Sequence, residues 1–435
     1  MTKSRFVGIL ILTVLIVGSA FAGGGSQQTA APGAVGGDLR FAWWGNATRD
    51  QMTLEAIYLY QLRNPATRIE PQVGTFGGGY WDQLAAQAAA GDLPDVIQQD
   101  VSYIVRYANQ LEDLRPYVDR GLIDLSRWPA ASLGNGTING RLVGLLLGIN
   151  ALNMGVDMAV VQRAGVTIDD TAWSWADYER IALQIFERTG VQTHPAWQIR
   201  HILESLALQT NGSLFTADDM HLGIAQNQAT LGALRDYLAM ELRLRAAGAL
   251  YDPDDAFIQG RAMAEEPLAR GRTWNAIFWN NQIQAQRDAA GRNLESVMLP
   301  SIAGNASPGM YLRSSMYISM AANSRNKDEA ARFINFMIND IDANLILLGE
   351  RGIPVPSDVK AAVYGHPRTS PGVRYAFDYI DRITPYASSG TNYPANAGLV
   401  ETMMQNVIQR ILTGRTELEA GLQEMIREAS TILSR

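Results

Sequence analysis

Cysteine is absent from the 435 residues, and that absence excludes much chemistry at once. There can be no disulfide framework, thiolate zinc site, iron–sulfur cluster, cysteine nucleophile or lipidated N-terminal cysteine. Histidine is scarce: four residues leave little material for a histidine-rich metal site. Basic residues number 36 against 43 acidic ones, with no basic run, which argues against a nucleic-acid footprint. No stretch approaches 18 uninterrupted apolar residues, so the mature chain is predicted to be soluble. No repeat of fixed period occurs, which excludes a solenoid or propeller. The phosphate-loop, H-E-x-x-H and G-x-S-x-G motifs are missing as well.

The N-terminus carries an export pattern. Lys3 and Arg5 precede an apolar run of 12 residues, Phe6 to Val17, and Ala20-Phe21-Ala22 forms an A-x-A cleavage site. These are the parts of a secretory signal peptide (1–22), cleaved after Ala22; the run is too short to span a bilayer as a membrane anchor would. The next residues, 23–37, read as a flexible leader. Cleavage removes two positive charges and takes the net charge from −7 to −9. Export favours disulfides, so a chain without any needs cores large enough to stand alone. About 150 residues per domain predicts two or three domains, and 47% hydrophobic residues supply the cores.

After the leader, Asp38 to Trp44 alternates as a strand. Thr48 or Asp50 can cap a helix with Leu54, Ile57, Tyr58 and Leu62 on one apolar face. Arg68 to Val73 is a second strand, Trp81 to Ala88 a second helix, and Leu93 to Ile97 a third strand. This order predicts an open α/β sheet. Helical spacing returns over 177–188, 231–247 and 327–338, and in two C-terminal helices separated by Gly414.

Several features read better as structure than as chemistry. Gly77-Gly78-Gly79 is a turn before a helix, not a phosphate cradle. Asp252-Pro253-Asp254-Asp255 lacks the glycine and terminal glutamate of a calcium loop and reads as a solvated acidic turn. His194, His201 and His221 have no metal spacing and read as surface or packing residues; no metal or other cofactor is predicted. The sequons at Asn46, Asn135 and Asn211 match a pattern that arises by chance. Aromatic residues are more telling. Nine tryptophans occur, several in segments with Gly or Asn at element ends: Trp43-Trp44-Gly45-Asn46, Gly79-Tyr80-Trp81-Asp82 and Trp279-Asn280-Asn281. Aromatic faces stack on sugar rings while polar groups take the hydroxyls, although core packing explains any single tryptophan equally well. Trp128, Trp173 and Trp175 read as structural.

The segments Tyr80 to Leu84, Ala89 to Ile97, Gly144 to Val166, Trp173 to Tyr178, Asn323 to Asn339 and Glu350 to Val355 occur in an order that resembles the family 1 extracellular solute-binding proteins, the sugar-capturing components of ATP-binding-cassette (ABC) importers. The resemblance implies an α/β, two-lobed periplasmic binding protein fold of type II-like topology. A ligand cleft would lie between lobes joined by a multi-segment hinge. Crossings are expected near Ile149-Asn150, Leu299-Pro300 and Asn339 to Asp342. Lobe one would be 38–149 plus 300–340, and lobe two 150–299 plus 341–435.

By the same resemblance the ligand-binding residues are Trp43, Trp44, Gln99, Asp100, Asn150, Trp279, Arg313 and Tyr393, with Tyr80 and Trp197 as weaker members. Asp100 is the leading carboxylate for a hydroxyl; its alternative is a helix N-cap before Val101. Gly23 stands where many relatives carry a lipidated cysteine, which implies a free periplasmic protein. A sugar ligand, an ABC permease partner, a monomer and no catalysis are expected. Two alternatives stand beside this: a secreted glycoside hydrolase using a carboxylate pair, and a sensory protein presenting its sugar to a receptor. Without a clear basic cluster, the cleft is expected to take a neutral mono- or oligosaccharide.

Overall fold

The computed structural model describes residues 36–435, apart from Asn46, 76–78, 130–131, 133–135, Ala196, 259–260, 303–308 and 391–392. The signal peptide, the cleavage site, Gly23, two sequons and most of the glycine cluster therefore lie outside the described residues. The chain begins as the alternation predicts, with β1 (Gly37–Trp44), α1 (Ala47–Arg63), β2 (Thr67–Gly74), α2 (Tyr80–Ala89) and β3 (Val96–Gln99). Then follow β4 (Leu145–Val156), α3 (Trp175–Thr189), α4 (Ile199–Gln209), α5 (Gln228–Ala246), β5 (Asn275–Trp279), α6 (Ile283–Ala290) and β6 (Glu295–Val297). The remainder comprises β7 (Tyr311–Met320), α7 (Lys327–Asn339), α8 (Ile341–Leu347), α9 (Ser357–Gly365), α10 (Pro371–Ile383), β8 (Ser388–Ser389), α11 (Ala397–Leu412) and α12 (Leu418–Leu433). Short helical turns and a two-stranded ribbon, Thr137–Ile138 with Arg141–Leu142, connect these.

One mixed sheet runs in the order β2-β1-β3-β7-β4-β5, with β8 beside β7 and β6 beside β4. The β1, β2 and β3 strands are parallel, whereas β7 lies antiparallel to β3 and β4. Every residue of β4 is buried, because both faces of this strand are covered; its composition is accordingly a near-continuous apolar run. It is also the strand that changes partners along its length. Leu145 to Ala151 pair with β7, and Leu152 to Val156 pair with β5 and β6. The fold is thus two α/β lobes sharing long strands.

Local chemistry sets the helix ends. Ser174 and Asp177 form a reciprocal capping box at α3, and Asn227 caps α5 through its side-chain oxygen. Gly414, at φ +76°, turns the chain between α11 and α12 in a conformation that a Cβ would resist. Arg49 pairs with Glu350 at 3.3 Å, Arg63 with Asp340 at 3.1 Å, and Arg127 with Asp358. Residues 340–358 are therefore fastened to α1 and the loop after β3. By contrast, α10 packs on the other half, where the Tyr379 hydroxyl donates to the Leu152 carbonyl at 2.7 Å.

One predicted face is corrected. In α1 the buried positions are Thr53, Ala56, Ile57 and Tyr60, while Leu54, Tyr58 and Leu62 are 45%, 68% and 66% exposed. Of the four predicted positions only Ile57 faces the core; Tyr60, with its hydroxyl on Glu329 at 2.8 Å, and Thr53 turn inward in place of the other three.

Candidate functional site

Strand register decides which side chains meet. Gln99 lies opposite Tyr317, and Asn150 opposite Arg313. Between Arg313 and Tyr317 the ladder with β4 is irregular, yet the two side chains are close enough for the guanidinium to act on the Tyr317 hydroxyl. Leu152, on the same face as Asn150, pairs with Trp279. Ala42 pairs with Ile97, which places Trp44 on the side of Gln99. One sheet face thus carries Trp44, Gln99, Tyr317, Arg313, Asn150 and Trp279 in a row that runs through both lobes.

The lobe-two wall above this row comes from α4 and Tyr393. The Arg313 guanidinium lies 5.0 Å from the Trp279 ring centroid and 5.6 Å from that of Tyr393. The Tyr393 hydroxyl donates to Glu204, and the Arg200 guanidinium also lies over this ring, 4.5 Å from its centroid. Arg200 is itself paired with Glu401 at 3.1 Å. His201 packs edge-on against Trp279, at 4.8 Å between centroids. Its Nδ1 is 3.0 Å from the Tyr311 hydroxyl and its Nε2 3.4 Å from Arg200. Arginine can only donate, so Nε2 accepts and Nδ1 carries the proton. Burial, then Arg200 and Arg313, push the His201 pKa well below its ordinary value, so the ring is neutral. Burial also raises the Tyr393 hydroxyl, and Glu204 adds to it.

Other polar groups in the row lack partners. Both amide atoms of Gln99 are buried without a hydrogen bond, as are Asn150 Oδ1 and Arg313 Nε. Such orphans are expensive in a closed interior and normal where a ligand supplies the missing half. Asp100 follows β3, half-buried; one carboxylate oxygen accepts from the Ser102 amide at 2.9 Å, and its carbonyl accepts from Tyr103 and Ile104. The helix begins only at Ile104, with Tyr103 at its cap, so Asp100 braces the preceding turn instead of capping a helix; that turn occupies one oxygen and leaves the other. Trp44 meets Trp81 at 5.3 Å, and Trp81 stacks on Tyr103 at 3.8 Å, nearly parallel.

Three expected site residues lie elsewhere. Trp43 points to the opposite face, fully buried against Phe41, with its indole N–H on Asp50 at 2.9 Å; alternation puts it in the core when Trp44 is in the row. Tyr80 is buried with its hydroxyl 2.7 Å from the Gln98 carbonyl, a structural contact between α2 and β3. Trp197 lines a separate cavity of about 220 Å³ with His194, Arg261, Glu266 and Gln286. Among the described residues no His, Cys, Asp or Glu group forms a metal-binding cluster. Asp254 and Asp255 are tied to Arg415 and Arg261, as a solvated acidic turn would be.

The model of the family described as "Bacterial extracellular solute-binding protein" matches residues 65–363, well over half of the chain. The chain belongs to the bacterial extracellular solute-binding proteins. A curated relative, the arabinooligosaccharide-binding protein of Bacillus subtilis, is 25% identical over 264 residues. That match covers 57% of this chain and 57% of the relative. Among solved structures, an extracellular solute-binding protein family 1 member from Alicyclobacillus acidocaldarius is 24% identical, with a TM-score of 0.77, over 92% of this chain and 99% of that one. A periplasmic oligogalacturonide-binding protein from Yersinia enterocolitica is 18% identical, also with a TM-score of 0.77, and the same coverage. These structures share the two-lobed fold.

In this solute-binding protein, sequence reasoning missed Arg200, His201, Glu204 and Tyr311. A signal for the first three was present. Arg200, His201 and Glu204 stand in α4 among Ile199, Ile202, Leu203 and Leu206, and every one of these is buried. Charge on the interior of an apolar helix is a request for partners.

Proposed function

We propose that this protein is exported to the periplasm, captures an oligosaccharide between its lobes and passes it to the permease of an ABC importer. The observation that carries this reading is the row on the shared sheet face. Aromatic rings alternate there with unpartnered polar groups, the surface a pyranose ring needs. The sugar-binding names of the relatives support the same class. We place lobe one at about 36–151 and 314–358, and lobe two at about 152–313 and 359–435. The support is the point where β4 changes partners and the ion pairs of residues 340–358. A monomer, cleaved after Ala22 and free of a lipid anchor, completes the proposal.

A ligand that touches both lobes binds the closed arrangement best and shifts the molecule toward it. The test is a thermal-shift screen of the purified protein against saccharides of one to six units. At 100 times its Kd a ligand adds about 2.7 kcal/mol of apparent stability. A shift with one saccharide class, and no new reducing ends after prolonged incubation, supports capture without turnover. Reducing ends that accumulate would replace it with hydrolysis. No shift with any saccharide, alongside a shift with amino acids or polyamines, would replace the ligand class.

A further inference from the structure

Arg313 stands out beside the buried arginines Arg200 and Arg351. Arg200 has its carboxylate in Glu401, and Arg351 donates to Gln98 and Thr53. Arg313 has neither: among the described residues no carboxylate lies within ion-pair distance, and its half-buried side chain has its Nε shut off from solvent without an acceptor. Burial works against the charge, but Tyr393, Asp100, Tyr311 and Glu204 act on it from a distance and keep it protonated. The nearer acids are already engaged, Glu204 by the Tyr393 hydroxyl and Asp100 by the Ser102 amide. The flanking rings of Trp279 and Tyr393 offset part of the desolvation, yet their faces cannot accept from a guanidinium edge. A cation held this way lacks a counter-ion that something else must supply.

We propose that the sugar carries a carboxylate, as a uronic acid does, and that Arg313 seats it through its planar fork, with Gln99 and Asn150 taking ring hydroxyls. This rests on the sugar-binding reading above and replaces its neutral-sugar expectation, which came from a sequence without a basic run. A carboxylate matches the guanidinium in geometry and gives two parallel hydrogen bonds. A monoanion is favoured over a dianionic phosphate because one cation, with Asp100 and Glu204 close by, compensates only one negative charge. Hydroxyls alone would satisfy the N–H groups of Arg313 but leave its charge unpaired.

The test is calorimetric titration with oligomers of two to four units of glucuronate, galacturonate, mannuronate and guluronate, each beside its carboxyl-reduced, neutral counterpart. The expected result is at least one uronate oligomer bound 100-fold or more tighter than its neutral partner. In Arg313→Gln that ratio falls below about five, while Arg313→Lys keeps an intermediate ratio because a point charge remains without the fork. Equal or tighter binding of the neutral oligomers by the unaltered protein overturns the carboxylate but leaves the sugar-binding reading standing. Full discrimination retained in Arg313→Gln overturns the seat. If no oligomer of either set binds, the sugar-binding reading fails with it. The wild-type ratio needs no variant, so a misfolded Arg313→Gln does not shield the proposal.

Discussion

At the scale of single residues, the buried groups without partners set the behaviour of the empty protein. Gln99 is fully buried with both amide atoms unpaired, a cost of about 1–3 kcal/mol for the free molecule. Gln99→Leu is expected to raise the urea midpoint of the unliganded protein while weakening saccharide binding at least tenfold. A fall in both quantities would show that the amide serves the fold. His194 gives a second case. Burial pushes its pKa down to about 4, while its Nδ1 meets the Pro195 carbonyl at 2.7 Å, so the ring is neutral in the fold. In the unfolded chain it titrates near 6.5. Between these values the unfolded state binds the extra proton, so the stability is whole above pH 6.5 and is lost as the pH falls toward 4. At pH 5 the loss from this residue is about 2 kcal/mol. Urea titrations at pH 7.5 and 5 should show a smaller drop for His194→Gln than for the wild type. An equal drop would assign the acid sensitivity to other groups.

Elements show what the sequence could and could not tell. The β1-α1-β2-α2-β3 order is legible, because alternation and helical spacing are local signals. Facing is not, as α1 demonstrates. Its spacing fits a face with Leu54, Ile57, Tyr58 and Leu62, yet only Ile57 of these is buried; neighbours distant in sequence hold Tyr60 and Thr53 inward instead, Phe333 and Glu329 of α7 against Tyr60 and the Arg351 guanidinium on the Thr53 hydroxyl. Replacing Leu54, Tyr58 and Leu62 together with Ser should change the unfolding free energy read from urea titration by no more than about 0.5 kcal/mol per substitution. Ile57→Ala, which empties a site only 4% exposed, should cost roughly 2–5 kcal/mol. The reverse order would restore the predicted face. The same logic separates Trp43 from Trp44. Alternation says that they face opposite ways, but only the pairing of Ala42 with Ile97 says which one joins Gln99. Arg313 and Trp279 were readable through resemblance; their meeting with Arg200, His201 and Glu204 required a helix that no local pattern ties to the sheet.

For the whole molecule, the mechanism depends on how the strands that run between lobes are joined. Gly148 and Ile149 of β4 meet the turn 351–353 beside β7. There the Ile149 amide donates to the Ile353 carbonyl at 2.9 Å, the Ile353 amide returns the bond at 3.2 Å, and the Ser315 hydroxyl donates to the Arg351 carbonyl. Three segments cross with no room between them. A Cβ on Gly148 would stand 2.7 Å from the Arg351 carbonyl oxygen and from the Gly352 carbonyl carbon, both backbone atoms that cannot swing away. Gly148→Ala must therefore move a crossing segment, at about 1–3 kcal/mol of stability. If the lobes turn about this junction, the variant should also alter the compaction that a bound saccharide causes, read as the ligand-dependent fall in radius of gyration by small-angle scattering. Gly398→Ala is the control, since a Cβ there meets nothing within 4 Å. It should retain both the affinity and the compaction of the wild type. Compaction unchanged in Gly148→Ala, with its stability lowered, would place the pivot outside this junction and leave Gly148 as packing alone.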